Sequence, residues 1–468
     1  MITRSHAQRN LFETVIGPLD KLVEGLVEPA LERLDQLLAD EQLMEAVAVQ
    51  MAKRRPRSRT HGRAGTPVEV ALRMLVLKRL RGWSFEETER EVRASLVYRQ
   101  LVRVYFEKVP DAKTLLRLSA VVGSEGVEAI HNRLLEIARE QKLIAGRRAR
   151  VDTTVVETDI RYPTDSRLLA DGVRVLGRAL KRIEQATGVV GAKLRDRMRA
   201  TTHRVLEIAR AARSRGPDAR PRLEHGYRRL LATVRSTVRD AERVGAELLS
   251  GTRKVLSERA MALGARAELE HFLPLVRRVI AQTRARVFRG DLHYHDKLFS
   301  LFESHTEAIR KGKASKPTEF GKLVKIQEAE NQVVVDYQVY ERRPEDRTLV
   351  VPTLDAHRRV FGQVPRLLAA DRGFWSAANT RVATEAGVKR VCIPALGRPG
   401  PEQARTQRQR WFRRGQRLRA GCEGRISVLK RRDGLRRCRY RGMNGMKRWV
   451  GWGVVSNNLW VLITAPQR

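Results

Sequence analysis

Helical periodicity governs residues 1–50 and 66–140 and then stops at a short run that no helix explains. Residues 149–158 read Ala-Arg-Val-Asp-Thr-Thr-Val-Val-Glu-Thr, crowded with β-branched side chains and bounded by Gly146 and Pro163. Such a run favours an extended strand. Helical spacing returns over 165–287. Apolar, β-branched segments follow at 299–302, 323–326 and 333–339, with Glu330-Asn331 as a turn. Residues 348–360 read as helix, 367–370 as a short strand ending at Asp371, 376–386 as helix and 388–393 as strand. A strand, a helical insertion, then alternating strands and helices make an α/β chain. Aromatic residues at 5% weigh mildly against an all-β alternative.

Ahead of the first strand, Leu19, Leu22, Leu26, Ala30, Leu34 and Leu37 recur at three and four, so 1–50 is expected to be helical. Residues 53–63 are a basic segment with Pro and Gly, suited to touching DNA backbone or to a solvated tether. Arg54, Arg55 and Arg57 are its candidate phosphate contacts. Thr66-Pro67 offers a cap and a first-turn proline before the stripe Leu72, Leu75, Val76, Leu80. Ser84 with Glu87 fits a capping box, and Pro110-Asp111 starts another helix. Short helices beside a basic arm suggest a helix-turn-helix-like reader, with a plain bundle as the simpler alternative. Within the insertion, Val173, Leu176, Leu180 and Ile183 form a seam. Residues 216–221 break it, and Leu223, Tyr227, Leu230, Leu231, Val234 and Val238 follow, so two long helices around a turn are expected.

Charge names the partner class. Lys and Arg number 93 against 53 Asp and Glu, a net charge of +40. Such a chain attracts polyanions, and releasing counterions from phosphates makes nucleic acid the first choice over a membrane surface. The cations peak at 401–448, with 17 Lys and Arg against three acids. Cys392, Cys422 and Cys438 form no C-x-x-C pair, which suits a reducing compartment and gives neither a disulfide framework nor a zinc site. The N-terminus lacks a signal-peptide core, and glycines, Ser456, Asn457 and Asn458 interrupt the apolar stretch 449–466, so a packed helix is expected and not a membrane span. A cytoplasmic, nucleoid-associated protein is the expectation.

Three carboxylates stand out by context. Asp152 sits inside the β-branched strand, where a charge is costly unless it faces a site or a partner. Asp371 lies at the carboxyl end of a strand, where open α/β sheets place their sites. Glu423 is nearly alone among cations on a helix-like segment. Local backbone bonding, turn chemistry and a surface ion pair are their ordinary alternatives. Two strand acids and one helix acid can instead converge on a pair of Mg²⁺ ions, hard cations that prefer oxygen. Strand alternation puts Glu157 on the face opposite Asp152 and Thr154, which argues against it as a co-ligand. His293, His295 and Asp296 look like a metal cluster in a connection, and His305 and His357 read as structural. Trp375 and Trp411 can stack on an unpaired base or simply pack. No P-loop, G-x-S-x-G or dinucleotide fingerprint occurs.

Several blocks, in order, resemble the bacterial insertion-sequence DDE transposases. Thr66 to Val92 resembles their N-terminal helical region. Arg150-Val-Asp152-Thr-Thr with Pro163-Thr-Asp-Ser resembles their first catalytic block, Ala370-Asp371-Arg-Gly-Phe-Trp-Ser376 the second, and Arg419-x3-Glu423-x6-Lys430 the third. Gln416 stands where that signature often has Tyr, seven residues before the Glu. The resemblance implies a ribonuclease-H-like mixed-sheet catalytic domain (146–164 and 292–468) with a long helical insertion (165–291), preceded by an all-α DNA-binding or oligomerisation region (1–145). It implies Asp152, Asp371 and Glu423 as catalytic acids holding Mg²⁺ or Mn²⁺, as two ions. It also implies Arg419, Lys430, Arg425 and Arg372 beside DNA. The expected activity is strand cleavage and 3′-OH transfer at inverted repeats of double-stranded DNA, by an oligomer that is at least dimeric. A related nuclease without strand transfer, a decayed transposase acting as a repressor, and an RNA-binding protein are the alternatives.

Overall fold

The computed structural model describes residues 1–4, 23, 25–54, 57, 61, 65–187, 194–250, 256–310 and 317–466. The chain divides into two compact units, Met1–Asp159 with Ile309–Arg468, and Ile160–Ala308.

The first unit begins with helices α1 (Pro29–Leu38) and α2 (Glu41–Arg54). The single helix expected over 1–50 is broken at Asp40, whose Oδ1 accepts the Leu43 N–H at 3.0 Å. Leu26 lies exposed in a turn, and Leu19 and Leu22 fall outside the described residues. Next come α3 (Val68–Arg81), α4 (Phe85–Ala94), α5 (Leu96–Leu101) and α6 (Ala112–Glu140). Ser84 and Glu87 form the capping box over α4, and Asp111 caps α6 through Thr114 N. Thr66 does not cap α3. Pro67 precedes that helix, and the Val68 and Glu69 N–H groups instead donate to Thr3 O and Arg4 O at 2.9 and 3.1 Å.

Helix α3 is buried on every side from Val68 to Arg79, so the expected stripe is a whole surface. A helix enclosed in this way cannot lie in a DNA groove as a recognition helix. Its core is shared with Trp452, Val455 and Leu459 of the helix here called α15 (Gly442–Thr464), and with Val333 and Val335 beside the sheet. The helical N-terminal segment is therefore continuous with the sheet. Arg33 Nη1 adds donations to Ile463 O and Ala465 O at 3.0 and 3.1 Å.

The sheet contains β1 (Arg148–Glu157), β2 (Glu307–Arg310), β3 (Thr318–Glu328), β4 (Val334–Val339), β5 (Leu367–Ala370) and β6 (Arg390–Cys392). Strand β1 is central. It pairs antiparallel with β3 and parallel with β5; β4 lies antiparallel on β3 and β6 parallel on β5. Strand β2 also pairs with β3, while 299–302, expected as a strand, forms bends and irregular backbone. Helices α11 (Val350–Phe361), α12 (Ala377–Glu385), α13 (Pro401–Arg408) and α14 (Arg410–Arg431) complete the unit. The entry to β1 is fixed by Glu330, whose carboxylate accepts the N–H groups of Ala145, Gly146 and Arg148. Gly146 has φ +66°, and a Cβ there would stand 2.4 Å from the Phe361 ring, so only glycine fits.

The second unit holds four helices among the described residues: α7 (Asp165–Thr187), α8 (Met198–Ala211), α9 (Ala219–Ser250) and α10 (Leu256–Phe288). The expected seam is buried, together with Leu230, Val234 and Val276, in a core of its own. Two helices around a turn would have left that seam half covered; α10 supplies the missing face. Buried Asp165 accepts from Gln282 Nε2 at 2.9 Å and Arg286 Nη1 at 3.1 Å. Among the described residues no helix is long and apolar enough to cross a membrane.

Two cations inside the first core are measurable. Arg79 stacks on Trp449 at 4.0 Å, and the Lys78 ammonium lies 4.4 Å from the Phe85 ring centre. Burial, then the neighbouring Arg79 and Arg439, push Lys78 down to about 8. A lysine whose native value is depressed weakens the fold fully while both states are protonated, and this penalty is relieved as pH rises. Lys78→Met should therefore raise Tm by a few degrees at pH 7, with the gain shrinking between about pH 8 and the ordinary 10.5. Thermal scans across that range check it, and an unchanged Tm at pH 7 refutes it.

Candidate active site

Two carboxylates are brought together by strand pairing alone. Strands β1 and β5 run parallel with Val151 opposite Ala370. The next residue on each is an acid, so Asp152 and Asp371 are neighbours across the sheet, with backbones about 5 Å apart. Asp371 ends its strand, and its Oδ1 accepts the Arg372 N–H at 2.6 Å. Asp152 is half-buried, and its Oδ1 accepts the Thr153 N–H at 2.7 Å. Each carboxylate is thus oriented by the backbone that carries it.

The third acid arrives on α14. That helix buries Phe412, Gly415, Cys422, Arg425 and Leu429, and so turns Glu423 outward. It is tied to the sheet at two points: Gln416 Nε2 donates to Cys392 O of β6 at 3.0 Å, and Arg150 Nη1 of β1 donates to Leu418 O at 2.9 Å. Glu423 Oε1 accepts from Arg419 Nη1, one helical turn earlier, at 2.8 Å. Burial by itself would lower the Arg419 value. The bond to Glu423 and the charges of Glu423, Asp371 and Asp152 more than reverse it, holding the guanidinium above the ordinary arginine range. All three acids therefore act on one cation. Among the described residues no three His, Cys, Asp or Glu side chains close into a ready cage for an ion. Arg419 is the cation on which the charges of all three acids bear.

The remaining sequence candidates separate. Arg372 is exposed beside Asp371, and Lys430 Nζ lies 4.0 Å from Glu319. Arg425, expected to face DNA, is turned inward: it is 7% exposed and donates to Asn457 Oδ1 at 2.8 Å. Its position on the buried face of α14 leaves no surface for a phosphate. Arg57 is exposed, whereas the Arg54 side chain and Arg55 lie outside the described residues. Glu157 faces Arg437 at 3.6 Å, away from the acid pair. Asp296 pairs with Arg278 at 2.6 Å, and the histidines near it form no metal group. Trp375 and Trp411 both pack against small apolar clusters.

Two acids escaped the sequence reading. Asp346 Oδ1 accepts from Thr153 Oγ1 at 3.2 Å, and its side chain abuts Gly373 in the turn after Asp371. Glu328 is fully buried at the end of β3, on Arg150 Nη2 at 2.5 Å. Burial raises its proton affinity, opposed by Arg150, Arg425 and the Cys422 thiol. β3 carries Glu319, Lys322, Lys325 and Gln327 as well, so Glu328 did not stand out in the sequence, and the short 3-10 turn carrying Asp346 gave no signal either. All three cysteines are buried and unpaired with each other.

Two family models match parts of the chain. Residues 20–120 match a family model described as a transposase domain (DUF772), and residues 303–459 match one described as a transposase DDE domain. No curated protein and no solved structure matches. The second match runs from just before β2 into α15, including the second and third acids, and with it the mixed sheet belongs to the ribonuclease-H-like class. On both matches together, this chain belongs to the DDE transposases of insertion sequences.

Proposed function

We propose that the chain cleaves DNA at the inverted repeats ending an insertion sequence and joins the freed 3′-hydroxyl to target DNA. The observation that carries this reading is the register of β1 and β5, which sets Asp152 and Asp371 side by side beneath the helix bearing Glu423. Three oxygen donors of this kind suit hard divalent cations, so Asp152, Asp371 and Glu423 would hold Mg²⁺ or Mn²⁺, as two ions. Such ions, when bound, activate an attacking hydroxyl and stabilise the leaving oxygen of an in-line phosphoryl displacement.

The protein's own groups do the rest. Arg419 screens the acids from one another, and on binding DNA it is positioned to exchange Glu423 for a phosphate oxygen. Arg372, beside the second acid, and Lys430, two turns along α14 from Glu423, extend the cationic track. Arg57 and its basic segment (with Arg54 and Arg55) would hold flanking backbone. The N-terminal helices and the four-helix unit are assigned to end recognition and to pairing two copies across two ends. The net charge of +40 supplies the long-range attraction. The same reading places the protein with the nucleoid in the cytoplasm.

Asp152→Asn, Asp371→Asn and Glu423→Gln should each reduce cleavage of a repeat-bearing duplex to background under Mg²⁺ while still shifting that duplex on a gel. Undiminished cleavage by Asp371→Asn refutes the site. A duplex with a pre-formed 3′-hydroxyl end separates transposase from nuclease: the wild type should give joined product, and cleavage without joining would mean a nuclease. Absence of both activities with tight binding would mean a repressor.

Arg419→Ala should cost less than about 1 kcal/mol in urea denaturation, because its partner is largely exposed. It should weaken end binding and reduce the slope of log K against log salt by about one phosphate contact. An unchanged salt slope would remove Arg419 from the DNA track.

A further inference from the structure

Helix α14 must deliver Glu423 to a pair of strand acids, and its buried Phe412, Cys422 and Leu429 decide which side it turns to the sheet. The structure supplies a polar device at that contact. Arg150 is two residues before Asp152 on β1 and points to the same face. Its Nη1 donates to Leu418 O at 2.9 Å, a backbone oxygen inside α14. The guanidinium lies so close to the helix that a Cβ on Gly421 would stand 2.1 Å from Nη1. Its Nη2 holds Glu328 Oε2 at 2.5 Å, and Glu328 is the register partner of Arg150 on β3. Arg425, one turn beyond Gly421, approaches the same oxygen at 3.7 Å and is anchored by Asn457. Glu328 has no exposed side-chain surface, and Arg150 is 11% exposed.

Ion pairs this deep add little net stability, since desolvation offsets their attraction. What they do provide is direction. The contacts fall on Leu418, Gly421 and Arg425, which bracket Glu423 along the helix. A slide or roll of α14 breaks the Arg150 bond to Leu418 O and separates Arg425 from Glu328, while the Arg150–Glu328 pair stays fixed within the sheet as the reference point. We propose that Arg150 and Glu328 are positioning residues that set the third carboxylate against the first two, acting through the backbone of α14 at Leu418 and Gly421. This inference rests on the proposed function, because it assumes that the three acids share metal.

The test uses the full-length protein bound to repeat DNA. Mn²⁺ affinity is read by electron paramagnetic resonance, and cleavage turnover and DNA affinity are measured separately. Arg150→Lys keeps the charge beside Glu328 but loses the forked geometry that also reaches Leu418 O. Gly421→Ala drives a methyl into the guanidinium while improving helix propensity, so it remains a valid test if Arg150→Lys fails to fold. In each, DNA affinity should stay within about twofold while Mn²⁺ affinity and turnover fall about 10- to 100-fold together. Parental Mn²⁺ affinity in either folded variant overturns the inference. Asp152→Asn is the control. If it loses Mn²⁺ while the two variants keep it, only the positioning role fails. If it too keeps Mn²⁺, the proposed function itself fails.

Discussion

The parallel pairing of β1 with β5 is the constraint on which the rest of the molecule turns. Parallel neighbours cannot be joined by a tight turn, so a long excursion must separate them. Here 218 residues lie between the two acids, and both the four-helix unit and the β3–β4 hairpin are built within that excursion. The pairing spans only four residues of β5, all apolar or small, and it ends where the acids begin. One residue of slip would move Asp152 away from Asp371 and invert the faces of β1. Register is protected on both sides: by eight paired positions with β3, and by Glu330 gripping three N–H groups ahead of the strand.

Electrostatics explains why two aspartates tolerate one another there. Each carboxylate accepts a backbone N–H, and Arg419 lies within the field of both. The surplus of cations over the chain is therefore not only a lure for DNA. It stabilises a local concentration of negative charge before any other cation arrives. The inward-facing arginines do different work. Arg73, Arg79, Arg150 and Arg425 bond backbone oxygens or buried acids and act as struts, because a guanidinium offers several fixed donors at once.

Much of this was legible in the sequence, for reasons that differ by element. The strand acids stood out because charge inside a β-branched or apolar run is costly, and both strands formed where expected. The capping box at Ser84 and the cap at Asp111 were readable because their chemistry is local. The misreadings were non-local. Thr66 lost its capping role to the backbone of Thr3 and Arg4, and Arg425 lost its surface to the roll of α14, which is decided by Phe412, Cys422 and Leu429. The all-round burial of α3 was invisible because Lys78 and Arg79 look like a solvated face until the Phe85 and Trp449 rings cover them. Asp346 was out of reach because only the fold brings it to Thr153.

The shared core of α3, α6 and α15 has a consequence for biosynthesis. Arg33 takes a partner 430 residues further along the chain, and Trp452, Val455 and Leu459 close a core begun by Val68 to Leu77. The early helices therefore leave the ribosome with the apolar surface that α15 covers still open, until segment 442–464 is synthesised. Folding of this unit is post-translational by construction, with a long interval in which the nascent chain is exposed to chaperones and proteases. A product that stopped before α15 would lack the closing helix and leave the core around α3 open.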